Sequence, residues 1–359
     1  MEVFKVKARK IIKWIILVLI FIVVSLTFLK VMTYIMKPPD EPLFNIAGFY
    51  GEEKNTLDMV YIGGSACLTY WEPLRAFEQE GIASYDFAAS TPQAELYKTM
   101  IKEILKTQTP EVIVIDARTF QYREKDATPK EVHYRNALTG MPLSINKIEF
   151  IHNNVEKYLN EDDTSYYFDI IKYHRDLSDA EINDQIKMIF NQYKNPTKGF
   201  RFVPKVEAQE KIINNTDKKT PVAEETEKIL IDLLEYCKTT ECDYLFVVSP
   251  YSELESHKES YNYLSEIVTE YGYDFLDAND YYDEMELNFE TDLYNSTHVN
   301  IFGADKYTDF LCKYLKENYN LSDRRENEGY QEWFGLLDNW HKQVDNTKNI
   351  IKSLLEEKD

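Results

Sequence analysis

The segment DMVYIGGSACLTY, residues 58–70, runs an apolar, strand-like stretch into two glycines and a serine. Two readings fit it: a strand punctuated by small residues, or a serine set on a tight turn at the mouth of an α/β sheet. The surrounding pattern decides between them. ASYDFA (83–88) and EVIVID (111–116) are two further strand-like runs, and the second is apolar enough to be buried on both faces. Between them, TPQAELYKTMIKEILKTQ reads as an amphipathic helix with Thr91 as N-cap and Pro92 at its first position. Before them, CLTYWEPLRAFEQEG reads as a loop and a helix ended by Gly81.

The alternation stops near Phe120. From about 121 to 220 the chain is polar and rich in Tyr and Asn, with short helical patterns such as INKIEFIHNNVEKYL, and this reads as a partly helical insertion over one end of the sheet. The rhythm resumes with a helix, AEETEKILIDLLEYCKTT, and a strand, CDYLFVVSP (242–250). A helix in SHKESYNYLSEIVTEYG, a strand in YDFLDAN (273–279) and a helix in NIFGADKYTDFLCKYLKENY follow. Alternation of this kind predicts a mostly parallel sheet with helices on both faces. Ligands in such sheets bind beyond the carboxyl ends of the strands, where Ser65 would lie. The tail 321–359 carries Trp333, Phe334, Leu337, Trp340 and Val344 near helical spacing, which predicts an amphipathic helix packed on the domain.

The N-terminus carries a different signal. Lys5, Lys7, Arg9, Lys10 and Lys13 precede an almost unbroken apolar run from Trp14 to Leu29, followed by KPPDEP. At about 1.5 Å per residue, a helix from Ile11 to roughly Met36 is long enough to cross a bilayer. The basic flank predicts a cytoplasmic N-terminus and an extracellular remainder. A cleaved signal peptide is the alternative, weakened by the length of the run and the lack of a small-x-small site after it. The expected division is a stub and anchor over 1–37, a linker over 38–55, a domain over 56–320 and the tail.

Composition narrows the function. The 359 residues are 44% hydrophobic and carry a formal charge of −21, which disfavours nucleic acid as a partner. Neither a Walker nor a GxGxxG pattern is present. Cys67, Cys237, Cys242 and Cys312 form no metal pattern. Cys237 and Cys242 are spaced to allow a bridge, although four free thiols is the simpler reading.

Of six histidines, His298 has notable company. ETDLYNSTHVNIFGADKY places Asp292 and Asn295 just upstream of it, in a polar loop before the last helix of the alternation. A nucleophilic serine needs a base within hydrogen-bond reach, and that base needs a third group to fix its tautomer. The plainer alternative is a histidine that only starts a helix. IIKYHRDLS (170–178) sets His174 beside Arg175 and Asp176, either as a second substrate-facing imidazole or as a helix-end residue satisfied locally.

GGSA at 63–66, YDFAAS at 85–90 and NSTHVN at 295–300, in that order, make residues 56–318 resemble the SGNH (GDSL-type) hydrolase family. More narrowly, the chain resembles membrane-anchored bacterial members related to proteins that transfer D-alanine or acetyl groups onto cell-envelope polymers. The resemblance implies a three-layer, flavodoxin-like sandwich. It implies Ser65 as nucleophile, His298 as base, and the backbone N–H groups of Ser65 and of Ala88 or Ala89 facing the oxyanion. The family usually has glycine at that second position. It also has an aspartate three residues before the histidine, where this chain has Asn295, and Asp292 would substitute if the loop folds back. The family's Asn-bearing loop after the third strand is not apparent. DARTFQ (116–121) stands there, with Arg118 available either to an oxyanion or anionic substrate or to a neighbouring carboxylate.

The resemblance implies an acyl esterase or O-acyltransferase that needs no metal or organic cofactor. Its substrate would be a cell-wall or exported polysaccharide, and a transferase would have a multi-span membrane acyltransferase as partner. The 27 tyrosines suit sugar stacking at a cleft rim, although most will serve the core or surface. A second class of reading is a catalytically weak SGNH-fold protein that binds glycan or scaffolds an envelope-assembly complex.

Overall fold

The computed structural model of the chain describes residues 2–90, 93–121, 130–159, 162–173 and 179–357. Five short strands form its centre: β1 (Met59–Gly63), β2 (Ser84–Ala88), β3 (Val112–Asp116), β4 (Asp243–Val248) and β5 (Asp274–Asp277). All pair in parallel in the order β2-β1-β3-β4-β5. β1, β2 and β3 are buried along their whole length, as expected of parallel strands covered on both faces. The fold is therefore α/β, with an all-parallel sheet flanked by helices.

The helices follow in chain order. α1 (Glu2–Ile35) and α2 (Glu41–Phe49) precede β1; α3 (Ser65–Tyr70) and α4 (Pro73–Glu80) join β1 to β2; α5 (Glu95–Ile104) joins β2 to β3. The region after β3 holds α6 (Glu131–Leu138), α7 (Ile145–Asn154), α8 (Thr164–Tyr167), α9 (Asp169–Lys172) and α10 (Asp179–Ile189). α11 (Glu224–Cys237) leads into β4 and α12 (Glu255–Glu270) into β5. A two-stranded ribbon, β6 (Leu293–Asn295) with β7 (His298–Val299), leads into α13 (Ile301–Asn318), and α14 (Gln331–Glu356) ends the chain.

Local chemistry explains the boundaries that place the site. Gly81 ends α4 at φ 71°, a left-handed conformation that costs glycine least. Gly63 ends β1 where a side chain has no room: an added Cβ would lie 2.6 Å from Asp116 Cβ and 3.0 Å from Cys67 Cβ. α14 packs as the tail pattern predicts, with Trp333 against Phe77 at 4.9 Å and Trp340 against Phe202 at 4.9 Å. Arg324 ties the tail's start to the first strand through an ion pair with the buried Asp58.

One expectation changes, one falls partly outside the described residues and one holds. Residues 41–49, taken within a linker, form α2, whose Leu43, Ile46 and Phe49 are buried. Asp40 caps this helix by accepting from the Leu43 N–H at 3.1 Å. The long helix expected from Thr91 is described only from Glu95, and Thr91 and Pro92 lie outside the described residues, as do His174, Arg175 and Asp176. The four cysteines are free, as the simpler reading has it, and Cys237 and Cys242 do not bridge. The stretch Arg9–Ile35 of α1 is long and apolar enough to span a membrane, with a mean hydropathy of 2.9.

Candidate active site

The sheet order puts the first crossover reversal between β1 and β3, the switch point where open α/β sheets bind ligands. Ser65 follows β1 there and Arg118 follows β3. Gly64 sits in extended backbone (φ −90°, ψ −158°) ahead of α3, so Ser65 is the first helical residue and its N–H lacks an intrahelical partner. The serine Oγ lies 2.6 Å from His298 Nε2.

The β6–β7 turn holds the imidazole. Asn295 Oδ1 accepts the Thr297 N–H at 2.9 Å and lies 3.0 Å from His298 Nδ1. The Thr297 hydroxyl is 2.9 Å from the same nitrogen. Because the Thr297 amide can only donate, the Asn295 oxygen must face this turn, and it then accepts the proton on Nδ1. That leaves the Nε2 lone pair for the Ser65 hydroxyl. Tyr294 stacks on the ring at 5.3 Å and 19°, limiting its tilt. Asn300 fixes the turn to α13 by accepting from the Phe302 N–H and donating to the Thr291 carbonyl at 2.8 Å.

Asp292 does not orient this histidine. Its buried carboxylate takes the Lys306 ammonium at 2.7 Å, the Asn288 N–H at 2.8 Å and the Thr291 hydroxyl at 2.8 Å. The loop does not fold back because these partners hold Asp292 on the α13 side. Asn295 occupies the place beside the imidazole.

The expected second oxyanion donor also changes. The Ala89 N–H donates to the Gly63 carbonyl at 3.3 Å, extending the β1–β2 ladder one residue further than expected. Ala88 closes β2 opposite Gly63, and its carbonyl accepts from Asn45 Nδ2 at 2.6 Å. Both alanines are fully buried, so the Ala89 amide belongs to the sheet and not to a cleft. Ser65's own amide, free of an intrahelical partner, remains as a donor at the serine, and the Arg118 guanidinium stands near His298.

Arg118 directs its guanidinium at neutral groups. It donates to the Thr297 carbonyl at 2.9 Å and to Ser249 Oγ at 3.2 Å, and lies over the Tyr251 ring at 4.2 Å. Among the described residues no carboxylate lies within ion-pair distance of it. Its own N–H is held by Asp116 Oδ1 at 3.0 Å, and burial raises the Asp116 carboxyl above its ordinary range. The Arg118 guanidinium donors thus go to neutral oxygens, next to the turn that carries the base.

A second guanidinium was not foreseen. Arg201 reaches the site from the irregular segment after α10, its backbone N–H anchored on the Leu68 carbonyl at 2.7 Å. Its guanidinium pairs with Glu41 at 3.0 Å and touches Ser90 Oγ at 3.3 Å. Burial, then Arg118, then Arg201 hold His298 down to about 3. The imidazole is therefore neutral at physiological pH, the state a base requires. No sequence pattern marked Arg201, since it lies in neither a strand nor a helix.

The arrangement defines a class: an α/β protein with a Ser–His pair, oriented by an amide, at the carboxyl rim of a parallel sheet. Comparison with family models, with curated proteins and with solved structures gave no match.

Proposed function

We propose that the chain is a membrane-anchored serine acyl esterase or O-acyltransferase of SGNH type. It acts outside the cell on a cell-envelope or exported polysaccharide, with α1 as anchor and the basic N-terminal flank in the cytoplasm. The observation that carries the reading is the 2.6 Å contact between Ser65 Oγ and His298 Nε2, with the Nδ1 proton engaged by Asn295.

In the proposed reaction, His298 Nε2 takes the Ser65 proton as Oγ bonds to the ester carbonyl carbon. The carbonyl oxygen becomes an oxyanion that faces the Ser65 amide and the Arg118 guanidinium. On collapse the ester C–O bond breaks, and the leaving alkoxide takes the proton from His298. Water or an acceptor hydroxyl then attacks the acyl-serine by the same steps in reverse order. In the transferase case a multi-span membrane acyltransferase would supply the acyl group.

A second reading has its own support. Asn295 cannot stabilise an imidazolium as a carboxylate would, and two arginines disfavour it further. This favours a weakly catalytic glycan-binding or scaffold protein. A fluorophosphonate probe on the purified full chain separates the two. Labelling that disappears in Ser65→Ala supports the enzyme, and absence of labelling across the pH range supports the scaffold.

A further inference from the structure

The exposed large apolar side chains outside α1 are not spread evenly. Among the described residues, seven of these twelve, including Leu143, Ile145, Ile171 and Ile186, lie from β3 to Phe190, the residue that follows α10, with Phe190 66% and Ile145 83% exposed. This region is fastened to the end of α1. Val31 and Tyr34 pack with Met188 and Ile189 at the C-terminal end of α10. Lys37, almost fully buried, lies 3.4 Å from Asp169 of α9 and over the Tyr34 ring, and its carbonyl accepts from Gln185 of α10 at 2.8 Å.

These contacts set a depth. Val31 lies inside the apolar span Arg9–Ile35, one turn from its end, and Lys30 is the charge that marks where the span meets headgroups. Whatever packs beside Val31 is therefore level with the interface. The last turn of α10 does so with its Met188 and Ile189 faces, while Ile186 and Phe190 remain uncovered. The Leu143–Ile145 turn begins where Gly140 backs onto α2, since a Cβ there would meet Ile46 Cβ at 2.5 Å.

We infer that the C-terminal end of α10 and Phe190 after it form a lipid-contacting surface: Ile186 and Phe190 insert into the outer headgroup and acyl boundary beside α1. The inference rests on α1 being a membrane span. An apolar face continuous with a span at the same depth meets lipid by geometry, and burying it there removes it from water. The chain's net charge of −21 makes attraction to anionic lipid the lesser contribution, so the contact holds in zwitterionic bilayers. The consequence for the site is direct. Glu41, the partner of Arg201, stands six residues beyond Ile35, a reach of at most about 20 Å. With the end of α10 seated in the headgroups, the Ser65–His298 pair lies close to the bilayer surface, which suits an acyl donor or acceptor that is itself held in the membrane.

The test uses the full chain in phosphatidylcholine nanodiscs, with Cys242→Ser and one introduced cysteine carrying an environment-sensitive fluorophore. The labelled variants are Phe190→Cys, Ile186→Cys, Val18→Cys within α1, and Ile213→Cys. Ile213 is 64% exposed and lies beside Asn279 and Asp280, past β5 at the opposite edge of the sheet. Nitroxide lipids labelled near the headgroup should quench the 190 and 186 positions several-fold more than 213, and aqueous iodide should do the reverse. Lipids labelled at mid-chain should quench position 18. If 190 and 186 behave as 213 does while 18 is quenched, the lipid contact is overturned with the anchor intact, and the face is left for a protein partner. If 18 is unquenched by lipid, the anchor reading fails and takes this inference with it.

Discussion

Asp292 and Asn295 sit three residues apart on one ribbon, and their side chains do opposite things. Asp292 is buried with a full ionic partner, Lys306, and two further donors. Asn295 stands at the cleft with a neutral amide, spends its oxygen on Thr297 and His298, and has no formal charge to give. The charged residue has a structural task and the neutral one faces the base. In a site already flanked by two arginines, the base keeps its lone pair through burial and positive surroundings, and the amide sets only its orientation. Residue type alone would have assigned these roles the other way round.

The largest effect should come from breaking the structural side. Asp292→Ala leaves Lys306 with the Glu286 carbonyl but without its ionic partner and orphans the Asn288 N–H, which should cost about 3 kcal/mol of stability. Urea unfolding of the full chain in detergent measures this, while fluorophosphonate labelling of the folded fraction should remain within about twofold of the parent. Asn295→Ala should invert the pattern. Losing the acceptor for Nδ1 frees the ring's tautomer and lowers kcat/KM on a p-nitrophenyl ester about 100-fold, with little change in the urea midpoint. A stability loss at Asn295 exceeding that at Asp292, with the larger rate loss at Asp292, would break the comparison.

The strands were legible because double-sided burial makes parallel strands near-continuous apolar runs, and DMVYIG, EVIVID and CDYLFVVSP each lie within one or two residues of the observed strand at either end. The meeting of Ser65 with His298 was legible in outline: glycines ended the first strand, and a polar loop stood before a strongly patterned helix. The orienting residue was harder. NST does carry a local signal, since an Asn side chain that caps the amide two residues on is an Asx turn, but Lys306 is a tertiary partner that no local pattern advertises. The oxyanion donors depended on how far one ladder ran, a difference of a single hydrogen bond at Ala89. Arg201 and α2 were hidden for a related reason. Arg201 is placed by a backbone contact to Leu68, and α2 by packing on β2, and neither contact has a periodic signature.

The smaller effects concern the proton itself, and they turn on sign. His298 is held at about 3, so neutral imidazole persists as pH falls, and the acid limb of kcat/KM should lie near that value, well below the ordinary histidine range. Between about 6.5 and that value the unfolded chain binds a proton at this residue that the folded chain refuses. Stability therefore declines as pH drops through the window, and rates must be divided by the folded fraction at each pH. Asn295→Asp places a carboxylate 3.0 Å from Nδ1 in the amide's position, favours imidazolium, and should move the limb upward by about one to three units. Arg118→Met should also move it upward, but by less, because burial is the larger cause of the depression and remains in the variant. The rate at the pH optimum should fall as well, since the same guanidinium faces the oxyanion in the proposed reaction. A limb that stays put in Arg118→Met while Asn295→Asp moves it would show that burial and the group beside Nδ1, not the Arg118 guanidinium, set the base's proton affinity in this site.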